Sequence, residues 1–292
     1  MRRLAFILNP RSGRQAGGLS KSDILRRLLA GDPTEYRIFE TERAGHATEL
    51  AAQAAASGYD VVVAYGGDGT LNEVASGLLG TRSALGIIPA GSGNGMARGL
   101  GIPRDPRKAL DLIQHGRVRR LDVGEAGGSY FFNVFGLGFD ACLAARFHRE
   151  AGGVRGPLPY FTLGVSSFFA YRPPSVQITV EGEKLLIAPL VLTIANGPQY
   201  GVGARIAPEA DFADGRLDLV WLERLSALRA LRALPRLFNG TIDRVRGRWH
   251  RRFTELTLQL PSATEVQYDG EVRVGSERMD VRILPGALDV VC

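Results

Sequence analysis

The sequence has few of the residues that announce a chemistry on their own. It contains two cysteines, Cys142 and Cys292, with no metal-ligand spacing. That excludes a zinc framework and a disulfide-stapled fold, and points to a reducing compartment. The four histidines are scattered, so a His-based zinc site is not expected. No apolar run approaches the roughly 20 residues of a membrane span. The apolar residues between Arg3 and Asn9 are too few for a signal peptide, so a cytoplasmic protein is expected. Lysine is almost absent, with only Lys21, Lys108 and Lys184. The net charge of +6 therefore rests on arginine.

What is present is an ordinary globular composition over 292 residues, 45% hydrophobic and 23% charged. One large domain or two ordinary ones are compatible with that length. The arginine excess is local. From Arg224 to Arg252 there are nine arginines and one acid, Asp243. Such a face can meet nucleic acid, anionic lipid or an anionic substrate. With no nucleic-acid module and only Phe238 and Trp249 as aromatics in that stretch, nucleic acid is not the expected partner.

The first 124 residues alternate between strand and helix patterns. Strands are predicted at Leu4 to Leu8, Tyr36 to Glu40, Asp60 to Tyr65 and Leu85 to Ile88. Helices are predicted at Ser20 to Leu29, Thr41 to Ser57, Leu71 to Leu79 and Asp105 to His115. This predicts an α/β domain, a parallel sheet with helices on both faces, with ligands at the carboxyl ends of the strands. From 125 to 292 the strand candidates follow one another with few helices. They are Ser129 to Leu137, Val176 to Val180, Leu185 to Ala195, Leu217 to Leu222, Leu256 to Leu260 and Met279 to Leu284. Helical stretches interrupt them near Leu143 to Glu150 and Ala227 to Leu237. The second domain is predicted to be a mainly antiparallel β-sandwich, and its last strand is allowed to return to the first domain.

Three turns follow strands in the first half: Asn9-Pro10-Arg11-Ser12-Gly13, Gly66-Gly67-Asp68-Gly69-Thr70, and Gly91-Ser92-Gly93-Asn94. Glycines there let a backbone approach a ligand closely, and free amides at a helix start receive phosphate oxygens. Asp68 puts a carboxylate where a Mg²⁺ beside those phosphates needs one. Neither a Gly-x4-Gly-Lys-Ser/Thr loop nor a Gly-x-Gly-x-x-Gly unit at the first strand is present. A lone Gly-Gly-Asp-Gly is equally compatible with a plain tight turn. Three such turns in one parallel-sheet domain favour a nucleotide site.

Asn9-Pro10-x-Ser12-Gly13, Gly66-Gly67-Asp68-Gly69-Thr70-Leu71-Asn72-Glu73 and Pro89-Ala90-Gly91-Ser92-Gly93-Asn94 together resemble the diacylglycerol kinase catalytic-domain family. Bacterial lipid kinases and the sphingosine and ceramide kinases belong to that family. Leu121-Asp122-Val123-Gly124, Gly136-x-Gly138-Phe139-Asp140, Asp214-Gly215-x-Leu217-Asp218 and Asp269-Gly270-Glu271 follow in the family's order, so the resemblance spans nearly the whole chain. It implies that ATP, with Mg²⁺, donates its γ-phosphate to a lipid hydroxyl in a cleft between the domains. By family position, Asn9, Ser12, Gly13, Gly66, Gly67, Gly69, Thr70, Glu73, Gly91, Ser92, Gly93 and Asn94 surround the nucleotide. Asp68, Asp122 and Asp214 are the metal candidates. Asp269 is the leading candidate for the base, with Glu271 beside it and Asp68 as its rival; Asp140 is placed near the lipid head group. Without the resemblance, Asp269-Gly270 reads first as a hairpin turn, and Asp140 as a helix N-cap.

One departure concerns Gly95, which stands where diacylglycerol kinases of this family usually carry an acid; the Gly-Ser-Gly-Asn form looks more like the sphingosine and ceramide branch. Diacylglycerol and sphingoid acceptors both stay open. So do two other functions, a kinase for a soluble alcohol such as NAD and a catalytically silent nucleotide or lipid sensor. Leu225, Leu228, Leu231, Leu234 and Phe238 recur at helical spacing with Arg229, Arg232 and Arg236 among the other positions. That predicts an interfacial helix drawn to anionic lipid, a peripheral membrane association, against core packing as the plainer explanation. Leu158 to Phe161 and Phe168 to Tyr171 are candidates for a lipid entrance. The oligomeric state is open, a homodimer being one arrangement.

Overall fold

The computed structural model describes residues 2–10, 18–139, 141–142, 170–200 and 203–292. Strands β1 (Leu4–Leu8), β2 (Tyr36–Glu40), β3 (Val61–Gly66) and β4 (Ala84–Pro89) pair in parallel in the order β2-β1-β3-β4. Every residue of β1, β3 and β4 is buried, which is why these segments are continuous apolar runs rather than alternating ones. Helices α1 (Lys21–Leu28), α2 (His46–Ala56) and α3 (Asp68–Leu78) connect them, and a short α4 (Gly95–Gly99) and α5 (Pro106–His115) follow β4. One core sets Ile7, Ala64 and Ile87 against Ala51, Val74 and Leu78 of α2 and α3. The other sets Phe6, Tyr65 and Ile88 against Leu25 of α1 and Ile113 of α5. The sheet is thus covered on both faces.

The second half is built from β5 (Val118–Ala126), β6 (Ser129–Phe131), β7 (Val134–Gly138), β8 (Val176–Val180), β9 (Glu183–Ile187), β10 (Val191–Ala195), β11 (Leu217–Leu222) and β12 (Arg248–Phe253). Then come β13 (Glu255–Gln259), β14 (Glu265–Tyr268), β15 (Glu271–Val274) and β16 (Arg278–Val291). A six-stranded sheet runs β12-β11-β10-β7-β14-β15, all antiparallel. Its inner face packs Phe135, Leu192 and Leu219 against Ile178, Leu258 and Val281 of the opposing sheet.

That opposing sheet is not separate from the first half. Among the described residues it is the continuation of the parallel sheet, in the order β2-β1-β3-β4-β16-β13-β8-β9 with β5 and β6 alongside β16. The long β16 makes the join. Its early residues pair antiparallel with β13, while Val290 pairs in parallel with Leu85 of β4. A register shift between Leu284 and Leu288 bends the strand at Pro285 and Gly286, the latter at φ +56.

Two predicted strands are each divided in two. Ser129 to Leu137 is interrupted at Phe132-Asn133, whose amides turn toward the side chain of Asp269. Leu185 to Ala195 is interrupted around Pro189, which has no N–H for a ladder. The predicted helix 143–150 and the stretches 158–161 and 168–169 lie outside the described residues.

Helix α6 (Ala227–Asn239) follows β11. Leu225 and Ala233 are buried, but Leu228, Leu231, Leu234 and Phe238 are 58%, 64%, 51% and 52% exposed. Core packing therefore does not account for this stripe. Among the described residues, no helix is long and apolar enough to cross a membrane.

Candidate active site

The ends of β3 and β4 put two glycine turns side by side. A Cβ on Gly91 would lie 2.7 Å from the Gly67 Cα, and one on Gly93 would lie 2.7 Å from an Asp68 carboxylate oxygen. Glycine is needed because the two backbones touch, not because the turns need freedom. Beneath them Thr70 is buried, its side chain 2.5 Å from where a Gly66 Cβ would be. Asn94 adopts φ 51, and its side chain ties up its own loop: Oδ1 accepts from the Gly91 N–H at 3.0 Å and Nδ2 donates to the Gly91 carbonyl at 2.7 Å.

Asp68 opens α3 and clamps the second turn. Its carboxylate accepts the N–H of Asn94 at 2.8 Å and of Gly95 at 2.9 Å. Burial pushes its carboxyl up, while these amides and the Arg98 charge pull it down. A carboxylate offers about four acceptor positions, so capacity remains for a further partner.

Asp269 lies in the other sheet. Asp269 and Gly270, at φ 50 and φ 92, form the two-residue hairpin between β14 and β15, closed by the Tyr268–Glu271 pair. The hairpin reading is correct, and the turn also aims a carboxylate inward. Oδ1 accepts the amides of Asn133 and Val134, both at 2.9 Å, and Oδ2 accepts the Phe132 amide at 2.9 Å and Asn72 Nδ2 at 2.8 Å. Burial pushes the Asp269 carboxyl up, and these four donors oppose it. Asn72 sits one turn beyond Asp68 on α3, so a single helix face reaches both carboxylates.

One cleft of about 750 Å³ collects these parts. Gly67, Asp68, Gly69, Gly91, Ser92 and Gly93 line one side; Asp269, Gly270, Glu271 and Arg273 line the other. Arg273 pairs with Glu271 at 3.1 Å and lies over the Tyr268 ring, giving the cleft a cation. Neither Asn72 nor Arg273 was singled out in the sequence. Asn72 was legible as the i+4 partner of Asp68, whereas Arg273 had no local signal.

The remaining candidates are placed elsewhere. Glu73 accepts the amides of Gly45 at 2.9 Å and Ala47 at 3.0 Å, capping α2, whose N-cap glycine has no side chain to do so. Asp122 is buried and accepts the amides of Gly215 at 2.7 Å and Gly286 at 2.8 Å. Asp214 is ion-paired with Arg252. Among the described residues, no three acids, histidines or cysteines converge on a common point, so Asp68, Asp122 and Asp214 do not form one donor set. The Asn9 carbonyl accepts from Lys21 Nζ at 2.6 Å, and burial lowers the Lys21 pKa to about 8. Ser12, Gly13 and Asp140 lie outside the described residues. At Gly95 a Cβ would meet Asn133 Nδ2 at 2.5 Å, so the space for the family's acid is taken here by the Asn133 amide.

Residues 3–126 match the family model described as the diacylglycerol kinase catalytic domain, and residues 133–292 match the YegS C-terminal NAD kinase beta sandwich-like domain. The chain belongs to the diacylglycerol kinase catalytic-domain family. It is 33% identical over 244 residues to a "Diacylglycerol kinase" of Bacillus subtilis (strain 168), covering 82% of this chain and 80% of the relative. It is 37% identical over 237 residues to a "Probable lipid kinase YegS-like" of Pseudomonas putida, covering 79% and 77%. A solved diacylglycerol kinase from Bacillus anthracis str. Sterne superposes with a TM-score of 0.73 at 23% identity, over 99% of this chain and 96% of that one, and shares the fold. As in the family's plan, the α/β half carries the glycine turns and the sandwich half carries the hairpin.

Proposed function

We propose that this family member is an ATP-dependent lipid kinase, transferring the γ-phosphate of ATP to a hydroxyl of a diacylglycerol or sphingoid-type lipid. The observation that carries the proposal is the single cleft lined both by the glycine turns and by the Asp269–Glu271 hairpin. Relatives named as diacylglycerol and lipid kinases support the acceptor class. The amides of Gly67, Gly69 and Gly93 receive phosphate oxygens, and Arg273 adds a positive charge.

Mg²⁺ fits this site through Asp68. It is usually bound through one or two carboxylates, waters and substrate phosphates, so a dedicated three-acid cluster is not required. When bound there it would neutralise charge on the transferring phosphoryl group. Asp122, with both oxygens held by amides, braces β5 against the Gly215 and Gly286 turns in this scheme.

Asp269 takes the hydroxyl proton of the acceptor. Three of its four donors are backbone amides fixed by the break between β6 and β7. The fourth, Asn72, is a side chain and can swing aside, freeing one Oδ2 position for the acceptor hydroxyl. Burial raises the carboxyl's pKa and so makes it a stronger base. The exposed stripe of α6, with Arg229 and Arg232 also exposed beside it, would hold the enzyme at an anionic membrane surface.

Radiolabelled ATP incubated with diacylglycerol, ceramide, sphingosine, monoacylglycerol and NAD tests the proposal. Label in at least one lipid, abolished by Asp68→Ala, is expected. Label in NAD alone would move the enzyme to the soluble-alcohol reading, with which an NAD kinase beta sandwich-like second domain is compatible. ATP binding with no labelled acceptor would leave a silent sensor.

A further inference from the structure

A second cavity, of about 480 Å³, shares no lining residue with the active cleft. Arg98, Arg104 and Arg205 line it together with Gln199 and Phe238. The three arginines come from separate places: Arg98 from α4, Arg104 from the turn before α5, and Arg205 from the segment whose backbone N–H donates to the Leu237 carbonyl of α6 at 2.7 Å. Among the described residues none of the three is paired with a carboxylate, although Arg248, Arg251, Arg252, Arg273 and Arg282 all are. Three guanidiniums around one concavity focus positive potential into it. Arg98 also acts on the Asp68 carboxylate, whereas Arg104 and Arg205 have no charge partner among the described residues. Their planar forks match phosphate oxygens better than any other common anion-binding side chain.

What selects the kind of phosphate is Phe238. It lines the cavity and is also the last residue of the exposed α6 stripe of Leu228, Leu231 and Leu234. The arginine pocket and the apolar helix face are therefore neighbours on one surface. A group presenting a phosphate beside aliphatic chains satisfies both, and a free anion satisfies only the first. We propose that the Arg98–Arg104–Arg205 pocket holds the headgroup phosphate of an anionic phospholipid while the α6 stripe enters the same leaflet. This rests on the membrane-surface reading of α6 and adds a defined headgroup subsite to it. Arg98 also donates through Nε to the Gly93 carbonyl at 3.0 Å, so the lipid would bind an arginine that braces the second glycine turn.

The test is sedimentation of the full chain with phosphatidylcholine vesicles, with or without phosphatidylglycerol. The Arg104→Ala/Arg205→Ala double variant is expected to bind the anionic vesicles about 25-fold more weakly, roughly fivefold per charge removed near such a surface. An Arg26→Ala/Arg27→Ala control removes the same charge from exposed positions on α1 that do not line the pocket, and is expected to change binding by about twofold at most, because charges outside the contact are screened. Equal losses in the two double variants would reduce the effect to net charge and overturn the pocket. Leu231→Asp/Leu234→Asp is expected to release the protein from both vesicle types. If it does not, the α6 reading fails, and the pocket stands only if phosphatidylglycerol selectivity still depends on Arg104 and Arg205. Inorganic phosphate at constant ionic strength is expected to compete weakly; full displacement by it would make the pocket a free-anion site and overturn the lipid assignment. An unchanged Tm excludes misfolding, and if Arg205→Ala unfolds the chain, Arg104→Ala alone carries the test with about a fivefold loss.

Discussion

The two sides of the cleft each present a carboxylate whose pKa burial raises, but they hold it differently. Asp68 stands at the first turn of α3 and accepts two amides from the facing glycine turn. Asp269 stands in a left-handed hairpin position with four donors around it, three of them consecutive backbone amides. Asp68 thus keeps acceptor capacity for a cation, whereas Asp269 has none to spare until Asn72 moves. Two acids of one type in one cleft are set up for two jobs by the number and mobility of their donors.

The largest effects should come from the acids themselves. Asp269→Asn is expected to lower kcat about 10³-fold, the usual weight of a positioned general base, in a radiolabel transfer assay. Gly91→Ala comes next. Its methyl has to displace the Gly67 backbone, and a shift of that size in a positioning loop is expected to cost about 10²-fold in kcat/KM.

Asn72→Ala sharpens the comparison through pH. Asp269 must be ionised to accept a proton, so kcat/KM falls as pH drops through its raised pKa. Removing Asn72 removes a donor that favours the charged form, so the acid limb should move to higher pH. A limb that stays in place would mean that Asp269 is not the titrating base. Glu73→Ala is the smallest effect. It removes the cap of α2 and should cost about 1 kcal/mol in denaturant unfolding. A rise in the KM for ATP of the same variant would add a nucleotide role to Glu73.

Much of this arrangement was legible in the chain. The continuous apolar runs of β1, β3 and β4, each ending in a glycine-rich or Asn-Pro turn, specify a buried parallel sheet with a ligand edge. Asp269-Gly270 specified its hairpin, because both positions take φ > 0. What stayed hidden depended on partners distant in sequence. The break at Phe132-Asn133 exists to satisfy a carboxylate more than 130 residues away, which no local pattern records. β5, β12, β14 and β15 were missed: β14 and β15 have four residues each, and β5 and β12 carry exposed charge, as at Arg119, Arg120 and Arg252. The continuity of the two domains through β16 was only half visible, since Pro285-Gly286 reads as the end of a strand and here bends one. Glu73 looked like part of a phosphate motif, and its carboxylate is engaged by α2.

The most direct measurement is calorimetric titration of ATP with and without Mg²⁺ into Asp68→Asn and Asp269→Asn. The account predicts that Asp68→Asn loses the strengthening of ATP binding by Mg²⁺, while Asp269→Asn keeps it and transfers phosphate about 10³-fold more slowly. Loss of the Mg²⁺ effect in Asp269→Asn and its survival in Asp68→Asn would contradict the division of labour between the two carboxylates.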